Sequence, residues 1–113
     1  MATKREAILY SAANVNDTVT GDWIELSDSM KGAFVVVKAD ARTAGTLTAV
    51  IQTSAENGTP NAPIEIVGSL VLDASNLIRI SDQTAKSFAK YARVTLTSSS
   101  ADFDDVLVYL QYQ

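Results

Sequence analysis

The segment from Gly32 to Leu72 most constrains the fold of this chain, because turn-forming residues divide it into three apolar, β-branched runs. These runs are Ala33–Ala39, Leu47–Thr53 and Ile64–Leu72. Branched side chains such as Val and Ile pack well on a pleated sheet. Gly45 and Gly58 can take the positive φ that tight turns require. Three such runs in succession predict the centre of an antiparallel β-sandwich.

Shorter strand candidates flank this centre on both sides. They lie at Glu6–Ser11, Thr18–Thr20, Trp23–Leu26, Asn76–Ile80, Tyr91–Thr97 and Val106–Tyr112. Turns are predicted at Thr43–Gly45 and over Ser98–Asp105, and Gly68 is predicted to mark a bulge or bend. No segment sustains a helical period. We therefore predict an all-β chain, a single antiparallel β-sandwich of jelly-roll type with about eight short strands. Residues 1–5 are predicted to form a flexible N-terminal arm and residues 6–113 the domain.

Period-two alternation along the strands predicts which side chains face the core. Ile78 and Ile80 are predicted to point inward with the other core residues. That predicted core contains Phe34, Val36, Leu47, Ile51, Ile66, Leu70, Val94, Leu96 and Val108.

Composition excludes several classes of function. The chain has neither Cys nor His, so it lacks the commonest metal ligands and the commonest general base. No nucleophile elbow or phosphate-binding loop is present, so we expect no enzyme activity, no cofactor and no metal. The net charge of -4 argues against nucleic acid as a partner. No apolar run is long enough to cross a membrane, and the N-terminus does not resemble a secretory signal.

Two groups of residues deserve a functional interpretation beside a structural one. Asp102, Asp104 and Asp105 could offer oxygen ligands to calcium, but a solvated acidic turn explains them without a ligand. Trp23 and Tyr91 could stack on sugars, which makes a carbohydrate-binding module an alternative. The structural interpretation places Trp23 in the core and leaves the ring of Tyr91 over a sheet.

Outward-facing apolar residues indicate contact with other proteins, because 47% of the chain is hydrophobic and several strands are apolar on both faces. We expect a homo-oligomer, with a trimer favoured. The basic residues of the arm are expected to reach a neighbouring chain. The interface candidates are Val50, Val67, Val71, Leu107, Tyr109, Lys4 and Arg5.

Four segments resemble a group of small structural proteins of tailed bacteriophages. They are Leu9–Ala13, the "TGDWIEL" strand Thr20–Leu26, the hairpin Val35–Gly58 and the "KYARVTLT" strand Lys90–Thr97. Members of that group look like virion components, commonly head decoration or cement proteins. The resemblance implies a non-enzymatic capsid decoration protein that is made in the host cytoplasm, resides in the virion and has the major capsid protein as its partner. A head–tail connector or tail component is an alternative within the virion. The "YARV" strand also resembles the last strands of jelly-roll sugar-binding modules.

Overall fold

The computed structural model describes residues 5–26, 33–55, 64–81 and 89–112 of the chain. Eight β-strands and no helix occur in these residues. The strands are β1 Arg5–Val15, β2 Val19–Thr20, β3 Ile24–Glu25, β4 Phe34–Lys38, β5 Ala41–Ser54, β6 Ile64–Leu72, β7 Ile78–Ile80 and β8 Tyr91–Tyr112. Arg5, which was assigned to the arm, is the first residue of β1, and residues 1–4 lie outside the described part.

The long strand β8 organises the sheet. It pairs antiparallel with β1, β2 and β3 along one edge, and with β5 and then β4 along the other. β6 pairs with the outer edge of β5, and β7 pairs with the outer edge of β4. Across the sheet the strands therefore lie in four antiparallel rows. The two central rows are β8 and β5–β4, and the two outer rows are β1–β2–β3 and β6–β7.

This sheet folds over so that its two halves form two layers. One layer contains β2, β3, β6, the part of β5 after Gly45 and the first half of β8, and the other contains β1, β4, β7 and the second half of β8. In the fold region Ser100 and Asp105 of β8 and Gly45 of β5 have positive φ. The pairing of β5 with β8 also shifts register on both sides of Ala44. These irregularities bend the long strands without ending them.

Two turns predicted from sequence are therefore wrong. Thr43–Gly45 lies inside β5, and Ser98–Asp105 lies inside β8. Both segments keep partners across the sheet, because Ala44 pairs with Asp102 and Thr46 with Ser99. The irregularity predicted at Gly68 is confirmed, since β6 advances from Val67 to Leu70 while β5 advances only from Ile51 to Ala49.

The core lies between the two layers. Phe103, Leu47, Ile51, Leu72, Leu96 and Leu110 are the largest of its fully buried side chains. The predicted burial of Leu47, Ile51, Leu70, Val94, Leu96 and Val108 is confirmed, and Ile66 is partly buried against the core.

Three inward assignments are wrong. Phe34 is 39% exposed, Ile78 52% and Ile80 59%. In β4 it is Val35 and Val37 that face the core. Val36 is buried as predicted, but it lies on the opposite face of β4, beside Phe34.

The predicted all-β, antiparallel sandwich class is confirmed, although β5 and β8 are longer than predicted. Nowhere in the described residues is there a helix long and apolar enough to cross a membrane.

Candidate functional site

A row of polar and aromatic side chains crosses the outer surface of the first layer. Gln52 of β5 pairs with Arg93 of β8 on one side and with Glu65 of β6 on the other. Trp23 precedes Ile24, which pairs with Ala92, so Trp23 reaches the position beside Arg93. Ala92 and Val94 face the core, and alternation directs Arg93 outward. We call Trp23, Arg93, Gln52 and Glu65 the polar–aromatic row.

The guanidinium of Arg93 is held on two sides within this row. Its central carbon lies 4.5 Å from the centroid of the Trp23 ring, a cation–π contact. Its Nε donates a hydrogen bond of 2.9 Å to Oε1 of Gln52. Among the described residues its two terminal nitrogens have no partner. The result is a pre-oriented pair of donors at the surface of the sheet.

From the sequence, Trp23 was expected either in the core or exposed for stacking on sugars, and the structure shows an intermediate position. Its side chain is half-buried, and the guanidinium of Arg93 covers one face of its ring. Its Nε1 is buried and has no hydrogen-bond partner among the described residues. Tyr91 is half-buried two residues before Arg93 on the same outer surface, with the Lys90 ammonium 5.7 Å from its ring centroid.

The outer surface of the second layer is apolar. All four large hydrophobic residues that are exposed in the described part of the chain lie there: Ile8, Phe34, Ile78 and Ile80. Pairing aligns Ile80, Val36, Tyr109 and Ile8 in a row across β7, β4, β8 and β1. Leu107, half-buried, lies in the next row. We call Ile8, Phe34, Ile78, Ile80, Leu107 and Tyr109 the apolar face.

The interface candidates from sequence divide between these two surfaces. Val50 and Val71 lie half-buried on the first layer, near the polar–aromatic row. Leu107 and Tyr109 belong to the apolar face. Lys4 and the side chains of Arg5 and Val67 lie outside the described residues. For all seven candidates, a role in an interface stays a prediction.

The acidic group at Asp102–Asp105 lies in β8 and not in a turn. Asn14 Nδ2 donates to Asp102 Oδ1 at 2.7 Å and to Asp104 Oδ1 at 2.9 Å. These contacts tie β1 to β8 at the fold of the sheet. No group of three or more potential metal ligands occurs among the residues that the structure describes.

Neither Arg93 nor Gln52 was predicted from the sequence to belong to a site. Alternation did direct Arg93 outward, and its place two residues after the outward Tyr91 was the available signal. The contact with Gln52 depends on the pairing of β5 with β8, across 41 residues of sequence, and no local pattern shows it.

No family model matches the chain, and a search of curated proteins finds no match. Among solved structures it is similar to chitosan-binding module 1 from a chitosanase/glucanase of Paenibacillus sp. IK-5, in a crystal structure of a selenomethionine-labelled mutant. The sequence identity is 24% and the TM-score 0.55. The match covers 88% of this chain and 74% of that one. The likeness shows that the two chains share a β-rich fold.

Proposed function

We propose that this chain is a non-catalytic carbohydrate-binding module that recognises a polysaccharide with its polar–aromatic row. The observation that carries the proposal is the guanidinium of Arg93, held by Trp23 and Gln52 on an exposed sheet surface. The fold shared with a chitosan-binding module supports it.

The chemistry of the row suits sugar hydroxyls. A hydroxyl accepts and donates hydrogen bonds, and the terminal nitrogens of Arg93 supply donors in a fixed fork. The exposed carboxylate of Glu65 supplies an acceptor at the other end of the row. Tyr91 adds an aromatic surface along β8, on which the apolar face of a sugar ring can rest. Trp23 acts through Arg93, because the guanidinium covers one face of its ring.

Charge narrows the class of polysaccharide. Glu25 lies opposite Tyr91 and Glu65 opposite Gln52, both exposed, and the chain carries a net charge of -4. These carboxylates disfavour an acidic glycan and favour a neutral one or an amino sugar, whose ammonium they can pair with. Chitosan is therefore the first probe, with chitin and a neutral β-glucan as comparisons.

Affinity electrophoresis and calorimetry with these polysaccharides test the proposal. Arg93→Ala is expected to weaken binding about tenfold or more, since charge-assisted hydrogen bonds contribute roughly 1.5–3 kcal/mol each. Tyr91→Ala is expected to weaken it as well. Arg79→Ala makes the same change in β7 of the other layer and is expected to leave binding unchanged. Failure to bind any of the probes, or binding that Arg93→Ala does not alter, would contradict the proposal.

We propose a virion structural protein, most simply a capsid decoration protein, as the second candidate. The apolar face favours it, because contiguous exposed apolar surface commonly marks protein–protein contact. The resemblance to small phage structural proteins also supports it. Such a protein would stabilise a shell by repeating one modest contact many times.

Light scattering with purified empty capsids tests this second candidate. The wild-type chain should bind capsids, and Leu107→Asp on the apolar face should abolish binding while far-UV circular dichroism shows an unchanged fold. Val71→Asp, on the other layer, serves as the contrast. No binding to capsids of any candidate phage would remove this candidate and leave the first untouched.

A further inference from the structure

The acidic Glu6 and the basic Lys38 lie near opposite ends of the apolar face. Asp40 and Asp105 line one surface groove with Lys38 and Leu107, at the edge of that face. Glu6 of β1 lies opposite Gln111 of β8, beyond the Tyr109 row at one end. Lys38 of β4 lies opposite Leu107 of β8, beyond that row at the other end. Neither side chain forms an ion pair within the described residues. A residue directly opposite another shares its face of the sheet, so both charges border the exposed hydrophobic residues.

We propose that a second copy of this chain occupies the apolar face, in a two-fold symmetric dimer. The inference goes beyond the carbohydrate-binding proposal, because it holds whatever the polar–aromatic row binds, and it is an alternative to capsid docking on the same face. In a two-fold interface, residue i of one copy contacts residue j of the other, and j contacts i. Because Glu6 and Lys38 lie near opposite ends of the face, a two-fold axis between them lets each residue pair with the other in both directions. Glu6 of each copy meets Lys38 of the other.

The pairing register fixes where the symmetry axis passes. Glu6 and Lys38 flank β8 on opposite sides, one level with Gln111 and the other with Leu107. The midpoint between them is therefore Tyr109. The axis passes through Tyr109 and lies in the plane of the interface, perpendicular to the diagonal from Glu6 to Lys38. It stacks Tyr109 of one copy on Tyr109 of the other.

The same axis also brings apolar residues together. On a sheet with strands about 4.8 Å apart and same-face residues about 6.8 Å apart, it sets Ile8 beside Leu107 of the second copy. It sets Phe34 beside Ile80 of the second copy. Two sheets that pack face to face in this way bury both apolar surfaces, as the layers of a sandwich do. Hydrophobic and charged contacts thus agree on one arrangement.

The size of the face sets the strength of the dimer. Four strands and three levels of side chains cover roughly 19 by 20 Å, or about 400 Å² per copy. The dimer would bury about 800 Å² in total, below the 1,200–2,000 Å² or so of stable complexes. We therefore expect a weak, concentration-dependent dimer, whose face becomes free for other proteins on dilution.

Sedimentation velocity of the full chain, from about 10 μM to 1 mM at low salt, tests the dimer. Glu6→Lys or Lys38→Glu alone is expected to raise the dimer Kd about tenfold, because each change makes two attractive pairs repulsive. The double variant Glu6→Lys/Lys38→Glu is expected to restore association to near the wild-type Kd. Glu65→Lys, an equal charge change on the other layer, is expected to leave the Kd within about twofold of wild type.

Two results would overturn the inference. One is a strict monomer up to 1 mM. If, under those conditions, a different protein bound the wild-type chain but not Tyr109→Glu, the apolar face would belong to that protein. The other is a dimer that neither single reversal weakens, or that the double variant does not restore. Thermal melts of each variant show whether the domain remains folded.

Discussion

Adding a single methyl group at Gly45 should strongly lower the stability of the fold. Its φ is +70°, and a Cβ built on it would lie 2.2 Å from the carbonyl oxygen of Ser100 and 2.4 Å from that of Ser99. Carbon contacts become favourable only near about 3.5 Å, so the backbone of β8 would have to move. Gly45→Ala therefore tests whether the two long strands must approach this closely.

The magnitude follows from two separate costs. An L-residue in the left-handed region costs about 1–2 kcal/mol. Forcing extra volume against a packed surface costs about 1–3 kcal/mol more, and here the obstacle is backbone, which cannot rotate away. We expect Gly45→Ala to lower the free energy of unfolding by roughly 2–5 kcal/mol. That is a large part of the 5–15 kcal/mol or so that typical domains have.

Equilibrium urea unfolding measures this loss, with fluorescence of the single tryptophan and far-UV circular dichroism as two probes. Gly21→Ala is the matched control, because its Cβ would come no closer than 3.4 Å to the Val94 oxygen, an ordinary contact. We expect that control to change stability by less than about 1 kcal/mol. A loss of under about 1 kcal/mol for Gly45→Ala would refute the close approach of β5 and β8.

Three further predictions address the core, the row and the β6–β7 connection. Phe103→Ala should cost about 3–5 kcal/mol in urea unfolding because Phe103 is fully buried, whereas Phe34→Ala should cost far less because Phe34 is partly exposed. Trp23→Phe should cost less than about 1 kcal/mol, since it keeps a ring under Arg93 and removes a buried N–H that has no partner in the described part of the chain. The pKa of Asp73 is lowered from 3.8, chiefly by the hydrogen bond that the N–H of Ser75 donates to it. The Asp73 carboxylate therefore stabilises the fold above that pH, and this contribution is lost as the pH falls below it. Asp73→Asn should consequently lose less thermal stability than wild type between pH 6 and 2.5.

Each of these predictions has a result that contradicts it. Equal losses for the two Phe variants would mean that the assigned faces of β4 and β8 are wrong. A loss above about 2 kcal/mol for Trp23→Phe would indicate that the indole N–H has a partner after all. Parallel acid profiles for wild type and Asp73→Asn would show that the Asp73 carboxylate accepts no hydrogen bond that matters.

Local pattern predicted much of the core, and it failed where local pattern is ambiguous. Leu47 and Leu96 alternate with polar neighbours, so only one face of each strand could be buried. In β4 both faces are apolar, and the larger Phe34 suggested the wrong one. Which face of β4 is buried depends on the pairing of Val35 with Leu110 and of Val37 with Val108. That pairing links residues more than 70 positions apart, which no local rule detects.

The fold region shows a second limit of sequence reasoning. Ser98–Asp105 has the composition of a turn, because Ser and Asp compete well for backbone hydrogen bonds. The structure instead pairs this segment with β5 on one side and continues it into the β1 pairing on the other. Long-range pairing thus overrides a local preference. The polar–aromatic row could not be predicted for the same reason, since its members come from three strands and from the residue before β3.

The length of β8 has a consequence for how the chain reaches this structure. Five of the other seven described strands have β8 as a partner, and β6 and β7 pair only with strands that themselves need β8. During synthesis, β1 must wait for nearly a hundred residues before its partner exists. Such distant pairings are slow to form, because the entropy cost of closing a large loop comes before any stabilising contact is made. We expect folding in the range of milliseconds to seconds, after β8 has left the ribosome. Until then the apolar runs of β4, β5 and β6 stay open to chaperones and to aggregation.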